Sequence, residues 1–315
     1  MNRKALIVGL KGTKLSFKEE LFLKNYKPWG VILFTRNIKD LKQLKKLADD
    51  IKFIFKDKKY PILIDQEGGR VSRLNKIIDL TLFSQRFFGK LYKKDKNIFY
   101  IKFKIYIDAV CNIMNEVGIN INTVPVLDVL RKKSHNIVGD RSFSSNPDIV
   151  SKLGSISIDL HNSSRIGTVM KHIPGHGLSK FDSHQKLQSI NADKKKLINS
   201  DFKPFKTCKP FFAMTAHIIY KTYDPLYTAT HSKKIIKSVI RDIIGFKGIL
   251  ISDDISMKSL KYNLTKNAVM ALNAGCNLIL HCNGNIQEMT KLAKVIPRID
   301  IFTQKKTSQF YNFLG

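Results

Sequence analysis

The stretch KHIPGHGLSKFDSH, residues 171–184, concentrates three histidines and an aspartate in a short segment. Side chains of these types can hold a metal, hold a polar substrate or transfer a proton. His172 and His176 are four residues apart, but a proline and a glycine separate them, so they do not share one face of a helix. The spacing of these two histidines is therefore not that of a helical metal-ligand pair.

Asp182 and His184 are two residues apart in the same stretch, which suits an acid–base dyad. A carboxylate that binds one imidazole nitrogen fixes the tautomer and stabilises the imidazolium, so the other nitrogen can donate a proton. Asp253, in the later stretch ISDDISM, is a separate carboxylate that could attack an electrophilic carbon. These three residues would form a complete acid and nucleophile set without a metal.

A metal-dependent hydrolase is the alternative that the same residues leave open. Imidazoles and carboxylates are ligands of hydrolytic metal ions, whose bound water would then be the nucleophile. The candidate ligands are His172, His176, Asp182, His184 and Asp253.

Short apolar runs alternate with longer amphipathic stretches along the whole chain. Each run is continuous, as expected for a parallel strand that is buried on both faces. The runs are at 5–10, 30–34, 61–65, 119–129, 166–172, 210–217, 247–254 and 277–282. Helices are predicted between them, among others at 39–56, 98–118, 232–244 and 260–274. This alternation predicts a (β/α)₈ TIM-type barrel. An open doubly wound sheet is less favoured, because VGLKGTK after the first run is a poor glycine-rich turn.

Ionisable side chains lie at the C-terminal ends of five predicted strands. In a barrel these ends form one rim, where active sites are built. A single aspartate at such an end is often a helix N-cap, but five such ends favour a catalytic rim. The residues are Asp65, Asp128, Lys171 with His172, His217, and Asp253 with Asp254.

Composition indicates a globular protein without a membrane segment. The chain has 315 residues, of which 43% are hydrophobic, and no composition break divides it. We therefore expect one catalytic domain over residues 1–315, with a short polar tail from about residue 297. The apolar run near the N-terminus is too short for a signal peptide, so we expect a cytoplasmic protein. The four cysteines form no CxxC pair and are expected to be reduced core thiols.

The formal net charge of +30 raises the possibility of a nucleic-acid partner. Lysines are nevertheless spread along the chain, and no arginine cluster alternates with aromatic residues. We interpret the charge as a solvated surface and expect no specific nucleic-acid partner.

Several stretches together resemble the bacterial β-N-acetylhexosaminidases of glycoside hydrolase family 3. They include GVILFTRN, DQEGGRVSRL, GDRSFSSNP, KHIPGHG, FDSH and ISDDISM, in the family's order. The resemblance implies a TIM-type barrel, no cofactor, and removal of terminal non-reducing β-linked N-acetylglucosamine with retention of configuration. It also implies a role in peptidoglycan recycling, on muropeptides that contain this sugar, and a monomer.

The resemblance also assigns roles to individual residues. Asp253 would be the nucleophile, His184 the general acid/base and Asp182 its dyad partner. The residues that would hold the sugar are Asp65, Arg73, Arg141, Lys171 and His172. One departure is Asn277, which occupies a position where the family usually has aspartate.

Overall fold

Eight parallel strands close a barrel in the order of the chain, which confirms the predicted (β/α)₈ TIM-type fold. The structure is a computed structural model that describes residues 2–131, 138–179 and 187–315. The barrel strands are β1 Lys4–Gly9, β2 Pro28–Leu33, β3 Ile62–Ile64, β4 Ile121–Asn122, β5 Gly167–Ile173, β7 Phe212–Thr215, β9 Ile249–Asp254 and β10 Leu278–His281. Two short strands outside the barrel, β6 Gln188–Ile190 and β8 Ile218–Tyr220, pair in parallel with each other.

Helices surround the barrel, and those predicted at 39–56, 98–118, 232–244 and 260–274 are all present. The α-helices are α1 Phe17–Tyr26, α2 Leu41–Phe55, α3 Gln85–Lys94, α4 Lys96–Val117, α5 Pro147–Ser163, α6 Lys194–Asn199, α7 Lys203–Thr207, α8 Leu264–Ala274, α9 Ile286–Val295 and α10 Ile301–Phe313. The segment Ile235–Ile243 is a π-helix. Side-chain caps begin most of them, as when Asp40 accepts the amide of Gln43 at the start of α2.

The fourth barrel strand is much shorter than the apolar run that predicts it. Only Ile121–Asn122 forms a regular strand, because the amide of Val124 bonds back to the carbonyl oxygen of Asn122 at 2.9 Å and Pro125 has no backbone N–H. The chain stays close to β5 beyond this point, since Val126 forms a bridge with Lys171. The residues after Pro125 therefore still reach the rim of the barrel.

The segment expected to be a short polar tail forms a helix that packs against the N-terminal end of the barrel. Phe310 of α10 is fully buried, and its ring centroid lies 5.0 Å from that of Phe212 in β7. Trp29 of β2 donates its indole N–H to Thr307 of the same helix at 2.9 Å. The polar composition of this segment conceals an apolar face with helical spacing.

The cysteines and the helix lengths can be compared with what the composition predicts. Cys111, Cys208, Cys276 and Cys282 are all free; the first three are buried, and Cys282 is partly exposed. In the described parts of the chain, every helix is too short or too polar to cross a bilayer.

Candidate active site

A cavity of about 200 Å³ opens where the C-terminal ends of the barrel strands meet. It brings together seven of the residues that the sequence singles out. Its polar lining comprises Asp65, Arg73, Thr123, Arg141, Lys171, His172, Asp253 and Asp254. Its apolar lining comprises Ile32, Phe34, Met214, Met257, Leu280 and the partly exposed thiol Cys282.

Asp65, directly after β3, is the centre of the first polar cluster. Its Oδ2 accepts a hydrogen bond from Arg73 at 2.7 Å. Its Oδ1 accepts hydrogen bonds from the Lys171 ammonium and, at 2.7 Å, from the Thr123 hydroxyl. Burial opposes ionisation of Asp65, but the two cations outweigh it and hold its pKa well below the usual value. A charged carboxylate therefore lies at the cavity wall with two cations fixed beside it.

Glu67 is a second buried carboxylate at the site, and it pairs with two cations of the cavity wall. Its side chain is 1% exposed and binds the Arg141 guanidinium through two hydrogen bonds of 2.7 Å. Its Oε1 also lies 2.6 Å from the Lys171 ammonium. Burial again opposes ionisation, yet Arg141 and Lys171 lower the pKa of Glu67. Glu67 thus orients two of the predicted sugar-binding cations from behind, and nothing in its sequence context distinguishes it from a solvated loop residue.

Asp128 performs a similar role for His172. The sequence places Asp128 at the rim but assigns it no task. In the structure its Oδ2 lies 2.7 Å from Nδ1 of His172, and its Oδ1 accepts the amide N–H of His176 at 2.6 Å. Burial opposes ionisation, but His172 and the backbone amide lower the pKa of Asp128 to about 2. Because Nδ1–H of His172 is engaged, its Nε2 is the nitrogen available to a ligand.

Asp253 is the penultimate residue of β9 and lies in the cavity wall. Its Oδ1 accepts the amide N–H of Asp254 at 2.8 Å. The Asp254 carboxylate is used within the loop, where its Oδ1 accepts hydrogen bonds from the hydroxyl of Ser256 at 2.9 Å and the amide of Cys282 at 3.4 Å. Both carboxylates line the cavity, and that of Asp254 is also engaged by the segments that follow β9 and β10.

His217, two residues after the neighbouring strand β7, holds the backbone at the end of β9. Its Nε2 lies 3.0 Å from the carbonyl oxygen of Asp254, and its Nδ1 lies 2.7 Å from the hydroxyl of Thr230. Burial lowers the pKa of His217, so it is neutral and can donate from one nitrogen and accept at the other. This pair of bonds fixes the backbone next to Asp253.

Asp182 and His184 lie outside the described residues, so the predicted dyad has no geometry in this structure. Its two flanking segments are described: the turn at 174–179 on one side and β6 on the other. Within residues 2–131, 138–179 and 187–315, no group of three or more His, Cys, Asp or Glu side chains is arranged to bind a metal ion.

The sequence of the chain is similar to those of known glycosyl hydrolases. The sequence profile described as the glycosyl hydrolase family 3 N terminal domain matches residues 6–309. A beta-hexosaminidase of Alkalilimnicola ehrlichii is 33% identical over 285 residues, covering 88% of this chain and 80% of that protein. Beta-hexosaminidase A of Pseudoalteromonas piscicida is 29% identical over 279 residues, which are 82% of this chain but only 46% of that longer protein.

A solved structure supports the same assignment. NagZ from Neisseria gonorrhoeae, crystallised in complex with N-trifluoroacetyl-D-glucosamine, superimposes with a TM-score of 0.88 at 26% identity. The superposition covers 100% of this chain and 90% of the gonococcal chain. With the closed barrel, the rim cavity and a profile match over almost the whole sequence, the chain belongs to glycosyl hydrolase family 3.

Proposed function

We propose that the protein is an exo-acting, retaining β-N-acetylglucosaminidase. It would remove terminal, non-reducing β-linked N-acetylglucosamine from peptidoglycan fragments. The observation that carries this proposal is that Asp253 shares one cavity with Asp65, Arg73, Lys171 and His172. A carboxylate that can attack carbon thus faces a dense set of hydrogen-bond donors and acceptors, as recognition of a sugar requires.

The cavity lining supports binding of one sugar unit at the end of a chain. Sugar hydroxyls both donate and accept hydrogen bonds, and the ionised Asp65 with its paired Arg73 and Lys171 offers both kinds of partner. Apolar side chains from three barrel strands, Ile32, Met214 and Leu280, line the same cavity. A site walled in this way at the barrel mouth accepts a chain terminus more readily than the middle of a polymer, which favours exo action.

In the proposed mechanism, His184 protonates the departing glycosidic oxygen while Asp253 attacks the anomeric carbon. A covalent glycosyl-enzyme forms, and the neutral His184 then removes a proton from the water that releases the sugar. This is the two-step retaining scheme, with an imidazole in place of one of the usual carboxylates. Asp182 would orient His184 and stabilise its imidazolium form.

Further parts of the proposal rest on the family resemblance. The chain would act as one catalytic domain, without a cofactor, as a monomer in the cytoplasm. Asp65, Arg73, Arg141, Lys171 and His172 would hold the terminal sugar. The +30 charge would be a solvated surface rather than a specific nucleic-acid site.

The test is incubation with a fluorinated aryl N-acetylglucosaminide, followed by intact mass measurement and peptide mapping. We expect one sugar label on Asp253, and we expect Asp253→Ala to lower turnover of the unfluorinated substrate by about 10³-fold or more. A label on another residue, or turnover that survives the substitution, would contradict the proposal. A chelator separates the metal-dependent alternative, because activity lost on chelation and restored by zinc would favour a metal-bound water.

A further inference from the structure

Tyr220, the last residue of β8, contacts both described flanks of the segment that contains Asp182 and His184. On the N-terminal side, its hydroxyl donates a hydrogen bond to the carbonyl oxygen of Gly175. On the C-terminal side, its backbone pairs in register with Ile190 of β6. One buried residue outside the barrel thus connects Gly175, five residues before residue 180, with Ile190, four residues after residue 186.

The turn that receives the Tyr220 hydroxyl is itself tightly confined. Gly175 has φ +131°, and a Cβ there would lie 2.8 Å from the carbonyl oxygen of Asp201. A Cβ on Gly177 would lie 2.1 Å from the carbonyl oxygen of Val129. Between them, the amide of His176 is held by Asp128 at 2.6 Å. The turn at 174–179 is therefore packed closely against the backbone of Asp201 and Val129.

Tyr220 is held as rigidly as the turn. Its side chain is fully buried, and its ring packs edge-on against Phe202, with 6.0 Å between centroids. The neighbouring Asp201 is paired with Arg131 at 2.8 Å. Burial raises the pKa of Tyr220 well above its usual value, so the hydroxyl keeps its proton at every working pH and remains a donor.

We propose that Tyr220 is a positioning residue for the general acid/base: through Gly175 and Ile190 it fixes the separation and direction of the two ends of the segment that contains His184. This inference rests on the proposed function, in which His184 transfers the proton. Tyr220 acts through the chain and does not contact substrate. It should therefore influence the steps that need proton transfer much more than sugar binding or attack by Asp253.

Leaving-group dependence is the readout that separates positioning of the acid from a merely structural role. An aryl N-acetylglucosaminide with a very acidic phenol, such as the dinitrophenyl compound, departs without a proton, whereas an unsubstituted phenyl compound needs one. For Tyr220→Phe we expect kcat/KM to fall roughly 10-fold or more on the phenyl substrate and by less than about 3-fold on the dinitrophenyl substrate. The basic limb of the pH profile should move on the phenyl substrate only.

Tyr60→Phe is the matched control. Tyr60 is also fully buried and donates its hydroxyl to a backbone carbonyl, that of Pro28 at 2.9 Å, but β2 begins there, at the end of the barrel opposite the cavity. The two variants lose the same hydrogen-bond type, so their melting temperatures should fall similarly. Only Tyr220→Phe should change the leaving-group dependence.

The two proposals fail in distinguishable ways. If His184→Ala lowers kcat/KM equally on the phenyl and dinitrophenyl substrates, the assignment of His184 as acid/base is wrong, whatever result Tyr220→Phe gives. The positioning role is overturned by a different result. In that case His184→Ala lowers kcat/KM more on the phenyl substrate, but Tyr220→Phe lowers kcat/KM equally on both substrates or behaves as Tyr60→Phe does. Should Tyr220→Phe not fold, Phe202→Leu loosens the ring while it keeps the hydroxyl. Phe202→Leu must then lower kcat/KM more on the phenyl than on the dinitrophenyl substrate, by a smaller factor than expected for Tyr220→Phe. An equal loss on both substrates would overturn the inference.

Discussion

Asp128 fixes His172 through a contact of 2.7 Å between Oδ2 and Nδ1, and with its other oxygen it holds the amide of His176 at 2.6 Å. One buried carboxylate thus sets the orientation of a side chain in the cavity wall and the start of the turn that leads towards residues 180–186. An asparagine at this position could accept only one of the two N–H groups, because its second terminal atom is a donor.

The first prediction is that Asp128→Asn destabilises the protein in a pH-dependent way. The pKa of Asp128 is about 2 in the folded chain, against about 3.9 for an unfolded aspartate. The charge therefore contributes roughly 2–3 kcal/mol of stability, present in full above pH of about 4 and lost as pH falls through about 2. Urea unfolding of both proteins from pH 7 downward measures the difference. If the difference in unfolding free energy between the two proteins stayed constant down to the lowest pH at which both fold, the charge of Asp128 would not be its cause.

The second prediction is that Glu67→Gln impairs both stability and activity. Glu67 compensates the charges of Arg141 and Lys171, whose side chains are 13% and 3% exposed. Removal of one partner from such a buried cluster costs roughly 3–5 kcal/mol, because Arg141 and Lys171 lose the negative charge of Glu67, although Asp65 still pairs with Lys171. We also expect kcat/KM to fall at least about 10-fold, since both cations line the cavity.

Glu116→Gln is the control for this substitution, since it neutralises a glutamate paired with Lys45 at 2.8 Å on the surface. The two side chains of that pair are 49% and 57% exposed, so the expected loss is within about 0.5 kcal/mol. Thermal unfolding and steady-state kinetics of the two variants would reject the interpretation if both behaved alike.

The strands were predictable because a buried parallel strand is apolar on both faces, a pattern that no polar surface element imitates. The ends of these strands then predicted which ionisable side chains meet, and Asp65, Lys171, His172 and Asp253 do line one cavity. Glu67 was not predictable, since its burial arises from two cations that come from distant parts of the chain. No local pattern encodes such a long-range compensation of charge.

The C-terminal segment shows a second kind of limit. Residues 301–313 are polar overall, and composition alone indicates a tail. The helix depends on single buried side chains, Phe310 in particular, that fill the N-terminal end of the barrel. That space exists only after the barrel has closed, so the value of Phe310 to the fold is not visible in the sequence around it.

The third prediction concerns Asn277, which replaces the aspartate usual in the family. Its Oδ1 accepts the amide of Leu250 at 2.8 Å and the Arg241 guanidinium at 3.1 Å. Burial lowers the pKa of Arg241, so a carboxylate beside this guanidinium would favour its charged form. Asn277→Asp keeps both hydrogen bonds and adds a charge, and we expect a gain of about 1 kcal/mol that disappears as the new carboxylate is protonated below pH of about 4.

The control for this gain is Asn191→Asp, an exposed loop position that adds the same charge to a chain of net charge +30. A general relief of repulsion would stabilise both variants equally. Thermal unfolding at neutral pH should show the higher melting temperature for Asn277→Asp only. Equal gains would show that overall charge, and not the contact with Arg241, is responsible.

The last prediction links the packing of α3 to the cavity. A Cβ on Gly89 would lie 1.8 Å from the carbonyl oxygen of Phe143, so the helix must approach that backbone closely. Gln85 of the same helix donates hydrogen bonds to the carbonyl oxygens of Val126, at 2.9 Å, and of Arg141. Displacement of α3 would therefore move the segment that contains Arg141.

Gly89→Ala should thus lower the free energy of unfolding by roughly 1–3 kcal/mol and raise KM, although alanine is favoured over glycine in a helix by about 1 kcal/mol. Gly12→Ala is the comparison, because no atom lies within 4 Å of a Cβ built there, and it should leave both quantities unchanged. Urea unfolding and kinetics on an aryl N-acetylglucosaminide measure the two effects. If Gly89→Ala were more stable than the parent, helix propensity would outweigh the overlap, and α3 would not need its close approach to Phe143 to support Arg141.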